Sequence, residues 1–176
     1  LAGGGSTGGN VSLGSATLTT GFLDEDTTFE GVISGTGGSL NLLGNGGTGN
    51  QELTGINTYT GSTTIQDITL SLSGSGSIAT SSSVTIATGG SLDISGTTSG
   101  ASIKTLSGPG NITLGANTLT ITQILPHTFS GEIAGSGGLT KLGPAILTLS
   151  EANTYTGATT LSAGTLALSG SGSIAD

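Results

Sequence analysis

An acidic cluster in the segment DEDTTFE offers the densest set of side chains that could do chemistry. Asp24, Asp26 and Glu30 place carboxylate oxygens close together in the sequence, and Ca²⁺ prefers oxygen ligands of this type. A second copy of the surrounding sequence reads QILPH in this region and contains no carboxylate. Because the repeat does not keep the cluster, we favour a solvated acidic loop. A calcium site formed by Asp24, Asp26 and Glu30 is the alternative.

The other residues that could be catalytic do not form a recognisable set. His127 is the sole histidine and the chain has no cysteine, so the usual ligands of a transition metal are missing. Polysaccharide lyases of this shape need arginine or lysine to stabilise a developing anion, and the chain has no arginine. The remaining carboxylates are scattered along the chain, at Glu52, Asp67, Asp93, Glu132, Glu151 and Asp176. We therefore predict no enzymatic activity and no cofactor, with a polysaccharide-acting enzyme as a lesser alternative.

Two matches to the G-x-G-x-x-G pattern lack the strand before and the helix after that dinucleotide binding requires. They fall at Gly3, Gly5 and Gly8 and at Gly44, Gly46 and Gly49. We interpret both as loops.

The composition excludes several classes of partner. Ten acidic residues against Lys104 and Lys141 give a formal net charge of −8. Nucleic-acid binding needs cations that displace counterions from phosphate, so this partner is excluded, and anionic lipid is disfavoured for the same reason. No apolar run approaches the roughly 18 residues of a membrane-spanning helix, so we expect no membrane insertion by this segment.

Short apolar pairs dominate the chain and predict an all-β fold. Residues two apart in a strand face the same side, so each pair marks a short strand with one buried side. The pairs are Val11/Leu13, Leu40/Leu42, Leu70/Leu72, Val84/Ile86, Leu92/Ile94, Ile112/Leu114, Leu119/Ile121, Leu147/Leu149 and Leu166/Leu168. A sandwich would use longer strands and more than 3% aromatic residues. Small aliphatics and 35 glycines instead favour a single-stranded parallel β-helix, with roughly 20 residues per coil and about nine coils.

The elements are organised as an internal repeat of about 100 residues. Residues 56–79 and 152–175 are identical at 17 of 24 positions, and the similarity extends towards the N-terminus. The repeat covers residues 10–110 and, in part, 111–176. The first copy carries extra residues at GNGGTGNQ, which is typical of a loop. We expect residues 1–176 to form one continuous β-helix segment of a longer array.

The segment from residue 135 to 170 resembles the passenger-associated transport repeat of bacterial autotransporters. The motif has the form GxGxLxKxGxGxLxLxGxNxYxGxTxVxxGxLxL. The matching positions are Gly135, Gly137, Leu139, Lys141, Gly143, Leu147, Leu149, Asn153, Tyr155, Gly157, Thr159, Leu161, Gly164, Leu166 and Leu168. In the first copy Asn41 replaces the lysine and Ile68 replaces the turn glycine, which indicates that this corner does not need a positive φ at Ile68.

This resemblance implies a right-handed β-helix at the cell surface or outside the cell, exported across a bacterial outer membrane. It implies a non-enzymatic stalk that spaces or presents an adhesive region. The alternative is a self-associating extracellular filament subunit. Partners would be a host or neighbouring cell surface, or a second copy bound through the coil edges.

Three smaller expectations concern the polar side chains. We expect the amides of Asn57 and Asn153 to cap internal turns, and Tyr59 and Tyr155 to cover the flank of a coil. Ice-binding β-helices display Thr-x-Thr on successive coils. Here such doublets recur 34 to 60 residues apart, so we expect no flat hydroxyl array.

Overall fold

The computed structural model describes residues 1–5, 9–46 and 49–174, and all of its regular elements are strands. The strands are β1 (Val11–Ser12), β2 (Thr17–Thr20), β3 (Thr27–Phe29), β4 (Ile33–Ser34), β5 (Ser39–Leu43), β6 (Asn50–Leu53), β7 (Thr63–Gln66), β8 (Thr69–Gly74), β9 (Val84–Ile86), β10 (Ser91–Thr97), β11 (Ala101–Lys104), β12 (Leu106–Ser107), β13 (Asn111–Thr113), β14 (Leu119–Thr122), β15 (His127–Phe129), β16 (Ile133–Ala134), β17 (Leu139–Leu142), β18 (Ile146–Leu149), β19 (Thr159–Leu161) and β20 (Thr165–Leu168). No helix long and apolar enough to cross a membrane occurs in these described ranges.

Every strand pair is parallel, and the pairing joins positions about one coil apart in the sequence. The strands stack into three faces. Face A contains β3, β6, β8, β10, β13 and β16. Face B contains β2, β5, β7, β9 and β12, and continues through a bridge between Gly108 and Phe129 into β15, β18 and β20. Face C contains β1 and β4, then residues 56–58 and 77–80, and then β11, β14, β17 and β19.

The chain visits the faces in the order C, B, A and completes about eight coils. We number them from β1, so coil 1 is residues 11–32 and the later coils begin at residues 33, 56, 77, 101, 119, 139 and 159. The prediction of a parallel β-helix with about nine coils is confirmed. At about 4.8 Å per coil the rod is about 38 Å long.

The apolar pairs line the interior as predicted. Seven of the nine pairs are buried. Val11/Leu13 and Leu166/Leu168 are only partly covered, because the first and last coils each pack against one neighbour. Burying each aliphatic side chain contributes roughly 1.5–3 kcal/mol. A continuous, narrow core therefore runs through the rod.

The corners follow two different rules. Where coils touch at a corner, only glycine fits: a Cβ on Gly157 would lie 2.5 Å from the carbonyl carbon of Gly137. At another corner the second copy uses Gly164, with φ of 71°. The first copy has Ile68 at that position with ordinary φ, as the sequence indicates, but the left-handed residue is the preceding Asp67, with φ of 54°. The conformation is kept and its position shifts by one residue.

The two copies of the repeat do not stack on the same faces. β1 lies on face C of coil 1, whereas its counterpart β13 lies on face A of coil 5. β2 lies on face B, and its counterpart β14 lies on face C of coil 6. The repeat therefore advances by four and two-thirds coils, and each copy is turned by a third of a circle relative to the previous one.

Candidate interaction surfaces

The motif asparagines tie three successive coils together inside the rod. Asn57 Oδ1 accepts a hydrogen bond from the Ile33 amide at 2.8 Å, while Nδ2 donates to the carbonyls of Gly55 and Ser77. Asn153 makes the equivalent contacts with Ile133, Glu151 and Ser173. These bonds confirm the expectation that both amides cap internal turns. The asparagine of the motif is therefore a structural residue.

The motif tyrosines are core residues, not a cover on the flank. Tyr59 and Tyr155 are buried, and each hydroxyl lies 2.6 Å from a threonine Oγ1, that of Thr63 and Thr159 respectively. Burial raises the pKa of Tyr59, and the hydrogen bond with Thr63 opposes this shift. The expectation of a surface position was wrong, because a phenol can enter this narrow core once a threonine satisfies its hydroxyl.

The motif lysine also points inward. Lys141 is buried beside Ile121 and Leu161 in the stack of β14, β17 and β19. Its ammonium donates to the carbonyls of Leu142, Gly143 and Ala163, at 2.8 to 3.2 Å. Burial lowers the pKa of this lysine. Lys141 therefore closes a corner between two coils and offers no positive charge to a partner.

The acidic residues are confined to one side of the rod. Of the ten, all but Asp176, which lies outside the described residues, sit on face A or at the two corners that border it. Those on the strands or beside them are Glu52, Asp93 and Glu132, and those at the corners are Asp24, Glu25, Asp26, Glu30, Asp67 and Glu151. The strands of faces B and C carry no carboxylate, and Lys104 is their one outward lysine among the described residues. Among the described residues, the rod has an acidic side and two faces whose strands carry no carboxylate.

The candidate calcium ligands make bonds within the protein. Asp24 Oδ1 accepts from the Asn45 amide at 2.8 Å, and Asp26 Oδ1 accepts from the Asn50 amide at 3.0 Å. Both carboxylates thus fix the corner of coil 1 to the coil above it. Across residues 1–5, 9–46 and 49–174, no group of three His, Cys, Asp or Glu is placed to hold a metal ion.

Face A brings two carboxylates into one outward column. Glu52 and Asp93 flank Ser71, two coils apart, or about 9.6 Å at the spacing of paired strands. Inverting glycosidases use a carboxyl pair at a similar distance, and one member must have a raised pKa. Hydrogen bonds from Ser73 and Thr28 instead hold the pKa of Glu52 below its usual value. Glu52 therefore does not fit the role of the general acid.

The remaining sequence candidates lie apart from one another. His127 begins β15 on face B and is exposed. Gly3 forms an isolated bridge with Phe29, and Gly44, Gly46 and Gly49 lie in the corner between β5 and β6. Gly8 is outside the described residues. The described glycines of the second match lie in a loop, as predicted.

Face B carries a column of hydrogen-bonding side chains that the sequence analysis missed. The strands place one outward hydroxyl or amide per coil in register, formed by Thr19, Asn41, Thr64, Thr85, Ser107, Thr128 and Thr148. Thr85 and Ser107 hydrogen bond to each other at 3.1 Å. The column is built from single residues and not from Thr-x-Thr doublets, so it differs from the flat array of ice-binding β-helices.

Two exposed apolar pairs border face B. Phe22 and Leu23, 60% and 80% exposed, follow β2 at the corner towards face A. Ile124 and Leu125, 49% and 58% exposed, precede β15 at the corner from face C. Leu23 and Ile124 occupy equivalent positions in the two copies of the repeat. Exposed apolar side chains in such pairs mark contact sites more often than scattered single residues do.

Comparison with known proteins agrees with the motif. Residues 46–67 and 139–168 match the family model of the passenger-associated-transport-repeat. The adhesin BmaC autotransporter of Brucella suis biovar 1 (strain 1330) is 38% identical over 123 residues, which is 63% of this chain and 3% of that protein. The chain therefore spans only a small part of the length of this curated relative. No solved structure matches the chain significantly.

Proposed function

We propose that this chain, which carries autotransporter passenger repeats, is a non-enzymatic stalk that spaces or presents an adhesive region. Repeats of this type belong to segments exported across the bacterial outer membrane, so the chain lies at the cell surface or outside the cell. The relative is named as an adhesin, which supports a role in adhesion. The observation that carries the stalk is the continuous core from Phe29 in coil 1 to Tyr155 in coil 7, which supports a rod of fixed length.

The residues of the motif support a structural role over a catalytic one. Asparagine, tyrosine and lysine, its most polar members, all point into the rod and bond to the protein itself. A polysaccharide-acting site would need such groups at the surface. We therefore propose that the motif builds the rod and that adhesion depends on other residues.

The stalk proposal is tested by an in-phase deletion in the full-length parent protein. Removing residues 33–100 joins Val32 to Ala101, so the chain re-enters face C and three coils are lost. We expect normal surface display and normal adhesion, with the distal part about 14 Å closer to the cell in electron micrographs. The control deletion of residues 33–90 enters face A out of phase, and we expect it to abolish surface display. Loss of adhesion by the in-phase variant at unchanged surface level would contradict a spacing role.

A self-associating filament subunit is the second candidate. Face B favours it, because the carboxylates are on the other side and do not oppose contact between two copies through this face. Face B is about 38 Å long, so two copies would bury an area near the lower limit for specific interfaces. We expect weak, concentration-dependent association in sedimentation experiments. It should weaken when Leu23 and Leu125 are both changed to Ser.

A further inference from the structure

The ladder of face C is interrupted between coils 4 and 5. β11 begins the upper part of this face and pairs only with β14 above it. Below β11 lie residues 77–80, which bridge downward to Ile56. No backbone hydrogen bond joins residues 75–80 to β11, although both segments are fully described. The one direct bond across the gap runs from Lys104 Nζ to the Thr80 carbonyl at 3.4 Å.

Coil length explains the interruption. Coil 4 runs from residue 77 to residue 100, whereas coil 5 runs only from residue 101 to residue 118. A long coil therefore precedes a short one. The extra residues of coil 4 produce a shift of register in β10 between Asp93 and Gly96 and a wide corner after it. The corner is held to the coil below by the Thr98 amide, which donates to the Gly74 carbonyl at 2.9 Å. Beyond Thr98 and Gly74 the two chain segments diverge.

A cleft of about 270 Å³ opens at this position. Its lining contains no charged residue, and six of its eleven residues carry a hydroxyl group. The hydroxyls of Ser99, Ser102, Thr118 and Thr120 make no hydrogen bond within the described protein. The apolar part of the lining is small, with Ala79 and Ala101 as its aliphatic side chains.

The main chain of β11 presents a free strand edge to this cleft. The amides of Ala101 and Thr105 donate to the Thr118 and Thr122 carbonyls on the upper side. Residues alternate along a strand in a parallel sheet. One residue directs its N–H and C=O groups to the neighbouring strand on one side, and the next residue directs them to the opposite side. Ser102 and Lys104 therefore direct their main-chain groups towards the gap. A free strand edge of this kind is a template for a further strand.

We propose that this cleft binds an extended, uncharged peptide as an additional strand beside β11. Main-chain groups of Ser102 and Lys104, about 6.6 Å apart along the strand, match the spacing of alternate residues in such a peptide. The side chains that face the rod must be small, because Ile78 and Ile103 below and above the gap are already buried. The hydroxyl-rich lining favours an uncharged peptide, and the Lys104 ammonium, which spans the gap to the Thr80 carbonyl, must move aside when the peptide binds. This inference is independent of the stalk proposal.

The first test uses the intact chain and a capped heptapeptide of alternating Thr and Gly as the probe. We expect saturable NMR shift changes at the cleft, and slower exchange of the Ser102 and Lys104 amides, by several-fold. Two N-methylated versions serve as matched controls, one methylated at the Thr residues and one at the Gly residues. An added strand directs only one of its two edges towards β11, so only every second amide of the peptide donates to it. One methylated version should therefore bind and the other should not. Equal behaviour of the two versions, or no binding of the parent peptide, would overturn the proposal.

Two variants of the protein separate strand pairing from other modes of binding. Ser102→Pro removes a main-chain N–H that β14 does not use, so the rod should keep its circular dichroism spectrum and lose the peptide. Ser102→Ala removes only the hydroxyl and should bind the peptide as before. If maltose instead shifts the cleft resonances and Ser102→Ala removes this response, the cleft is a saccharide site and the peptide proposal is wrong.

Discussion

Thr105 combines two features that cost stability. It joins β11 to β12 with φ of 42°, a conformation that β-branched residues strongly disfavour. It is also buried, and its Oγ1 has no hydrogen-bond partner. Glycine would relieve both problems at the cost of a more flexible unfolded chain. We expect Thr105→Gly to raise the free energy of unfolding by about 1–2 kcal/mol, measured by urea denaturation.

A matched variant separates the two causes. Thr105→Ala removes the hydroxyl but keeps a Cβ in the left-handed region. Its gain should be smaller than that of Thr105→Gly, and the difference measures the backbone strain. If Thr105→Gly lowers stability, packing of the threonine methyl outweighs both costs.

Single residues were predictable from the sequence where the repeat displayed them twice. The capping amides of Asn57 and Asn153 are one example, because the same residue recurs before the same TYTG sequence. The tyrosines recur as well, but recurrence does not say which way a side chain points. The inward direction of Tyr59 depends on a hydroxyl partner, Thr63, that only the folded corner brings close. The sequence does not indicate the strain at Thr105, because that strain depends on one dihedral angle of the folded backbone.

At the scale of strands and corners, the Asn57 side chain adds to the backbone bonds that join coil 3 to its two neighbours. Its amide bonds to Ile33 and Gly55 of coil 2 and to Ser77 of coil 4. Replacement by alanine leaves the buried Ile33 N–H without a partner and removes one of two hydrogen bonds from each of the Gly55 and Ser77 carbonyls. The unpaired N–H costs about 1–3 kcal/mol when it stays dry, and each weakened carbonyl adds less. We expect Asn57→Ala to lower the free energy of unfolding by about 2–4 kcal/mol, measured by urea denaturation.

The chain supplies a control for this substitution. Asn10 Oδ1 accepts a hydrogen bond from the Val32 amide at 2.8 Å in the same way, but at an exposed corner. Water can replace that bond, so Asn10→Ala should cost less than about 1 kcal/mol. Equal losses for the two variants would show that burial of the amide does not matter.

Strands were predictable from the apolar pairs, whereas their alignment was not. A pair such as Leu92/Ile94 identifies a short strand with one buried side without any knowledge of its neighbours. The hydroxyl column of face B and the gap below β11 depend on the number of residues in each coil. These numbers vary at corners, where the sequence consists of glycine, serine and threonine in no fixed pattern.

At the scale of the whole molecule, repetition in sequence and repetition in space differ. A repeat of a whole number of coils would place equivalent residues in one line along the rod. This repeat advances by four and two-thirds coils, so equivalent residues move to the next face. Leu23 and its counterpart Ile124 consequently occupy different edges of the rod. The rod was predictable from the sequence, but this rotation was not, because it depends on the exact length of every coil.

Distances between spin labels test the rotation directly. The chain has no cysteine, so two double variants can be labelled without background. Thr19→Cys with Thr128→Cys joins two positions of face B that are five coils apart, and we expect a distance of about 24 Å. Thr19→Cys with Thr120→Cys joins equivalent positions of the two copies, on faces B and C. The distance between the labels at residues 19 and 120 should be several ångströms longer than that between residues 19 and 128. It is longer despite a shorter axial separation of about 22 Å, because the two labels project from different faces. Equal distances in pulsed electron paramagnetic resonance would mean that the repeat fills five whole coils and that equivalent residues form one line.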